Sequence, residues 1–235
     1  MHPEAQIIHF GTELIHPPLI QEEEQLREFY HTISKIKYCG CDFKEFKILP
    51  NGAEMVTNLD RVHSVCRISD DRIHISEDWT SLSSDEFIAR VREITKVYME
   101  MFNLRIFVVQ TSAIRSLLTP TNCTDARVFI AEWVCKLNGA KDIFPSFENR
   151  PVHMFGIRLM FPAVKEENRR FNIRIESFNQ DPHRIFVESI SDYEGPPITD
   201  DRLDIIGKNI ERTLQFSTVN VINFLSRYDV KKQEE

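Results

Sequence analysis

Between Phe43 and Ser76 the chain reads FKEFKIL, Pro50-Asn51-Gly52, AEMVTNL, VHSVCRI, Asp70-Asp71 and RIHIS, short runs of mixed apolar and polar residues closed by turn formers. Alternation is clearest in RIHIS, where Ile73 and Ile75 alternate with Arg72, His74 and Ser76. A period of two sends successive side chains to opposite faces of an extended strand, so these runs read as half-buried strands. Four in a row with connections this short predict an antiparallel meander.

Around the meander the same order of elements occurs twice. QIIHFGTELI, from Gln6 to Ile15, reads as a strand ended by Pro17-Pro18, and Leu26, Phe29, Ile33 and Ile36 then mark a helix. After the meander, Ser83 with Glu86 forms a capping box that opens a helix through Phe87, Val91, Ile94, Tyr98 and Met101. A strongly β-prone run from Arg105 to Ser112 follows, of the kind covered on both faces. A helix is predicted near Thr124 to Leu137, with Gly139 as its stop. VHMFGIRLMF, RRFNIRIESF and HRIFVESI read as three strands, and a last helix capped by Thr199 carries Leu203, Ile206, Ile210, Leu214, Val221 and Leu225. The expected fold is α+β: a tandem duplication of a strand, helix, antiparallel strands and helix unit, with sheets covered on one side by long helices. The first repeat is placed at 1–103, the second at 104–228, and a flexible tail at 229–235.

Composition narrows the function. Lys and Arg number 29 against 36 Asp and Glu, a formal charge of -7, whose field repels a polyanion and disfavours nucleic acid. No apolar run reaches the roughly 18 to 20 residues that cross a bilayer, and MHPEAQ lacks the basic and apolar regions of a signal peptide, so no membrane partner is expected. Five cysteines spread through the chain fit reduced thiols and a cytoplasmic setting. The chain has no G-x-S-x-G elbow, P-loop or G-x-G-x-x-G fingerprint, and only 7 glycines, so the reading leans away from an enzyme and implies no cofactor.

Several constellations invite chemistry and have plainer readings. Cys39 and Cys41 with His63 and Cys66 have the residue types of a soft-metal site, yet His63 and Cys66 differ by an odd number on a strand and point to opposite faces, so no metal is expected. His9 and Glu13 share a strand face, while His16, before Pro17, reads as an exposed histidine near the strand end. Asp78-Trp79 is a binding anchor or a tryptophan packed on the following helix. Lys165, Arg169 and Arg170 read as a solvated hairpin loop with Glu166 and Glu167. Asp181-Pro182-His183 has the chemistry of a turn, with His183 in water. The strand after it, with Ile185, Phe186 and Val187 in succession, is apolar on both sides and predicts cover on both faces.

The 17 phenylalanines exceed what one small sheet face needs: Phe43, Phe46, Phe144, Phe147, Phe155, Phe161, Phe178 and Phe186 lie off the simple core stripes. Core filling is the default for them, and an apolar aromatic surface is the functional alternative. The candidate binding residues are Trp79, Phe155, Phe161 and Phe186, with His153, Glu176 and Glu188 at the mouth of a cleft between sheet and helices. Arg174 and Glu176 share a strand face, so cross-strand ion pairs are the plain account of those charges. No catalytic residue is assigned. A homodimer is expected, with a protein partner or small apolar ligand on the aromatic surface or a sheet edge; the alternative is a small-molecule site or enzyme in the cleft.

The segments DDRIHISEDWTSLSSDEFIARVREITKVYMEMFNLRIFVVQT, FGIRLMFPAVKEENRRFNIRIESFNQDPHRIFVESISDYEG and NIERTLQFSTVNVINFLSRY resemble a sporadically distributed family of uncharacterised bacterial proteins of about this length. The likeness is one of pattern: an aromatic-Ser-acidic start, a helix, an apolar strand, a hairpin pair and a long closing helix. It implies architecture and carries no functional residue across.

Overall fold

The computed structural model describes residues 5–36, 43–138, 147–150, 152–164 and 167–230. The expectations at Cys39, Cys41, Gly139, Phe144, Lys165, Glu166 and the last five residues of the tail lie outside the described residues.

Nine strands form one antiparallel sheet. The expected meander is β2 (Glu45–Leu49), β3 (Gly52–Leu59), β4 (Val62–Ser69) and β5 (Arg72–Asp78). β5 pairs with β1 (Gln6–Ile15), which pairs in turn with β7 (Val109–Leu118). Beyond β7 come β10 (Ile185–Tyr193), β9 (Arg169–Ser177) and β8 (Gly156–Phe161). β1 and β7 are therefore the centre, and two meanders extend outward from them.

Alternation assigns each face. Thr57, Ser64, Glu77, Phe10, Ile114, Ser189, Ile173 and Leu159 are opposite one another across successive strands, and all but Leu159 are buried. The helices pack on that side. α1 (Glu23–Ile33) contributes Leu26, Phe29 and Ile33; α2 (Ser84–Met101) contributes Phe87, Val91, Ile94 and Tyr98; and α4 (Asp204–Gln215) contributes Ile206 and Ile210. α3 (Ala126–Val128) and α5 (Val221–Ser226) cover the β9–β10 end. Each large apolar side chain sealed in this layer contributes about 1.5–3 kcal/mol. No helix packs on the opposite face among the described residues.

α2 begins as expected: the Glu86 amide donates to Ser83 Oγ at 3.3 Å and the Ser83 amide donates to Glu86 Oε2 at 2.7 Å. Other local expectations are corrected. The apolar run after Arg105 divides at Val108, whose amide turns to Ile15 O at 2.8 Å; β6 (Ile106–Phe107) pairs with β11 (Ile198–Thr199), and β7 starts the central strand. β7 alternates in burial, so it is not a doubly covered strand. The helix after Thr124 is a short α-turn that widens into a π-helix over Phe129–Val134, which lets Phe129, Ile130 and Ala131 all bury in succession. Thr199 does not cap the last helix: its hydroxyl donates to the Asp201 carboxylate at 2.5 Å, and α4 starts at Asp204 after a 3-10 turn. That helix also widens, over Phe216–Asn220, before α5.

β10 departs from its expected double cover. Ile185, Val187, Ser189 and Ser191 are buried under helices, whereas Phe186, Glu188, Ile190 and Asp192 are half-buried on the helix-free face. His16 is also corrected: it is 2% exposed and shares a 2.8 Å hydrogen bond between its Nε2 and Tyr98 Oη, with Nδ1 2.8 Å from Pro17 O. Burial lowers its pKa, because the apolar surroundings disfavour the imidazolium. No helix among the described residues is long and apolar enough to cross a membrane.

Candidate functional site: the helix-free face of the sheet

On the helix-free face, register gathers residues that are far apart in sequence. Asn58, His63, Asp78, His9, Arg115, Glu188, Arg174 and Arg158 form one row across eight strands. Neighbouring strands lie about 4.8 Å apart, within reach of side chains this long, and the middle of the row is bonded in series. Asp78 Oδ1 is 2.7 Å from His9 Nδ1 and 3.7 Å from Arg115 Nη1, and Asp78 Oδ2 is 3.9 Å from His63 Nδ1. Arg115 Nε donates to Glu188 Oε1 at 2.7 Å, and Arg174 Nη2 is 3.3 Å from Glu188 Oε2.

A second polar row contains Glu54, Arg67, His74, Glu13, Thr111, Asp192 and Arg170. Arg72, one strand position further on, holds Glu13 at 3.1 Å, and Thr111 Oγ1 donates to Asp192 Oδ1 at 2.9 Å. Between the two rows, the central strands place only Ser76, Gly11 and Ala113 opposite one another. The absence of bulk there makes a shallow trough that flanking side chains partly close, so Gly11 and Ser76 are buried and Ala113 half-buried. Along the strands it spans about 13 Å between the flanking rows, from four residues at about 3.3 Å each.

His9 leans into this trough. A Cβ on Gly11 would lie 2.6 Å from His9 Nε2, so the imidazole rests over the glycine and only glycine leaves room for it. The His9 side chain is 7% exposed, yet Nε2 has no hydrogen-bond partner among the described residues. The hydrogen bond from His9, with the charges of His9, Arg115 and His63, holds the Asp78 pKa below its ordinary value against some desolvation. An ionised Asp78 accepts and never donates, so the proton of a neutral His9 sits on Nδ1 and Nε2 presents a lone pair. Across the trough, burial lowers the His74 pKa.

Two backbone irregularities adjoin this pair. The β1–β7 register shifts between Ile7 and His9, a bulge that re-aims the histidine. Trp79, directly after Asp78, has φ 50, a left-handed conformation that a bulky residue adopts only under constraint, and its amide donates to Ile8 O at 2.6 Å. Its ring meets Phe178 at 6.4 Å, and Phe178 stacks on Phe186 at 6.3 Å, closing an aromatic arch over the end of the face near Leu117, which is buried. Arg174 lies over the Phe186 ring at 5.3 Å.

Of the residues singled out from sequence, Trp79, Phe186, Glu176 and Glu188 come together on this face. Phe155 packs against the helix-side core and its amide donates to Ser177 Oγ at 3.1 Å. Phe161 packs on Phe216 at 5.4 Å, and His153 is exposed before β8, so neither lies in the row. His63 and Cys66 occupy opposite faces, the cysteine sealed in the core. Arg169 and Arg170 belong to β9 and are paired with Glu167 and Glu194 respectively. Asp181 makes the expected turn, accepting the His183 amide at 3.0 Å; the His183 ring is bonded to Thr124 O. Sequence marks Asp78 only as the neighbour of Trp79, and does not mark Arg115 or Gly11 as site residues. A glycine inside an otherwise alternating strand was the one local signal for this place. A hollow of about 520 Å³ between the sheet end and α4, lined by Val109, Gln110, Tyr193 and Asn209, contains none of the residues expected at a cleft mouth.

No protein-family profile and no curated protein matches the chain.

Proposed function

We propose that the chain is a binding protein that takes a small, uncharged molecule rich in hydrogen-bond donors into the trough floored by Gly11, Ser76 and Ala113. The observation that carries this reading is the buried His9 imidazole, oriented by Asp78, whose Nε2 faces the trough without a partner. Nε2 is answered by no protein group among the described residues, and a ligand N–H or O–H completes its bonding. Charge supports a neutral ligand. Arg67, Arg72, Arg115 and Arg174 each lie beside a carboxylate, and Arg158, bonded to the neutral Asn172, is on the outermost strand away from the trough. The same pairing weighs against nucleic acid.

Two further parts of the reading concern origin and setting. The placement of β1 beside β7, with a meander running outward from each, supports descent from a duplicated α+β unit. Five cysteines spread through the chain, rather than set in a dense framework, support a reducing, cytoplasmic setting.

Native mass spectrometry of protein purified from expressing cells tests the reading. Wild type is expected to retain a neutral adduct that Ala113→Arg, which fills the trough, loses. An adduct held equally by both proteins places the ligand elsewhere.

The second reading is an acid–base enzyme at the same place. The 2.7 Å Asp78–His9 bond favours it, because a carboxylate on Nδ1 with a free Nε2 is the arrangement a general base uses. Conversion of the retained molecule by wild type and not by His9→Gln selects this reading over simple binding.

A further inference from the structure

The two ends of the sheet are built differently. At one end β2, preceded by Lys44, carries Glu45 and Lys47, the charged pattern that discourages strand addition. At the other, β8 reads GIRLMF, with Met160 72% and Phe161 42% exposed, and no strand pairs with its outer side among the described residues. Such an edge is a template for another strand.

The bonding pattern of β8 specifies which groups are available. The Ser177 amide donates to Phe155 O at 2.9 Å, so Phe155 and every second residue after it turn their main-chain groups toward β9. Gly156, Arg158 and Met160 therefore aim theirs outward. Arg158 is the one charge on β8, and its Nε donates to the neutral Asn172 Oδ1 at 2.8 Å. Side chains alternate: Ile157, Leu159 and Phe161 belong to the helix-side face, Arg158 and Met160 to the helix-free face.

We propose that β8 is the seat of a symmetric dimer, in which a second copy adds its own β8 antiparallel with the two Leu159 side chains facing each other on the axis. In this register Ile157 lies opposite Phe161 of the second copy, and vice versa, so the helix-side apolar row continues between subunits. Arg158 and Met160 of the second copy form a hydrogen-bonded pair through their outward main-chain groups, and each arginine faces a methionine. A register centred on Arg158 sets two guanidinium groups opposite one another with no carboxylate on the strand to answer them, which costs stability. β8 is thus complementary to itself in the register centred on Leu159. The resulting dimer carries one continuous sheet with two separate troughs, so the pairing does not depend on the trough's occupant.

Sedimentation velocity on the full chain tests this with a charge pair at one position. Wild type is expected to dimerise at micromolar concentration. Met160→Glu places a carboxylate opposite Arg158 of the second copy, twice per dimer, and is expected to tighten dimerisation roughly tenfold; Met160→Lys is expected to weaken it by a similar factor. Met160 is mostly exposed, so both variants are expected to fold, which far-ultraviolet circular dichroism spectra matching that of wild type show. Leu159→Cys is expected to give an interchain disulfide on oxidation beyond any formed by wild type. A monomeric wild type overturns the proposal. So does a dimer that Met160→Glu and Met160→Lys affect alike, or one in which Leu159→Cys forms no additional cross-link, since another interface or another occupant of the edge then accounts for the data.

Discussion

At the residue scale, Gly11, His9 and Asp78 act as a unit. Adding a methyl group in Gly11→Ala displaces the His9 ring, whose Nε2 lies 2.6 Å from the new Cβ position, and breaks its bond to Asp78. The expected cost is about 1.5–3 kcal/mol, the net worth of one hydrogen bond to a charged group, read by urea denaturation, with a changed imidazole nitrogen spectrum for His9. Asp78 contributes a pH dependence of known sign. Its folded pKa is depressed, so its stabilisation is present above the unfolded value near about 3.9 and is lost as pH falls through the folded value. Asp78→Asn is therefore expected to be less stable than wild type at neutral pH and to converge on it at the acid end; a constant difference across that range contradicts the assignment. From sequence, His9 and Glu13 could be placed on one face by counting. Their partners could not, because Asp78 and Arg115 reach His9 through strand order and register, neither of which periodicity specifies.

At the element scale, α4 crosses α2 closely at Gly207. A Cβ on Gly207 would lie 2.7 Å from Ile88 Cγ2, and a β-branched methyl has little freedom to retreat. Gly207→Ala gains about 1 kcal/mol of helix propensity but overpacks this crossing by roughly 1–3 kcal/mol, for a net loss of about 1 kcal/mol. In a double-mutant cycle, Ile88→Ala is expected to relieve that overpacking; simple additivity contradicts the contact. β5 and α2 are joined by an ion pair between Glu77 and Arg90, both nearly sealed, with Ser64 Oγ donating to Glu77 Oε2 at 2.8 Å. Arg90→Met leaves the Glu77 charge without this cation and is expected to cost about 3–5 kcal/mol, whereas Arg90→Met combined with Glu77→Leu recovers most of the loss. The α2 boundaries were legible because capping is a local code of four residues. The π-helical turns at Phe129 and Phe216 were not, because they serve burial against strands distant in sequence.

At the scale of the whole molecule, alternation and turn chemistry sufficed for an antiparallel α+β fold with helices on one side. They did not show that both meanders join through β1 and β7 into a single nine-stranded sheet. That joining creates the polar row, since four of its residues precede β7 in the chain and four lie in β7 or beyond it. Of the phenylalanines off the simple core stripes, Phe43, Phe46 and Phe155 pack into the two helix-side clusters, Phe161 rests on Phe216, Phe147 is exposed, and Phe178 and Phe186 form the arch with Trp79. The apolar strand from Ile185 was read as covered on both faces because Phe186 and Ile190 are apolar, yet they line the helix-free side.

The most direct test of the central claim is a fragment screen observed by two-dimensional NMR of the labelled protein, using uncharged polyols, amides and phenols. Binders are expected to shift the amides of Gly11, Ser76 and Ala113 together with the imidazole of His9, and His9→Ala is expected to abolish those shifts while leaving the fold intact. Binders that instead move Val109, Gln110, Tyr193 and Asn209 beneath α4, and that His9→Ala leaves unaffected, contradict the claim that the helix-free face is the binding surface.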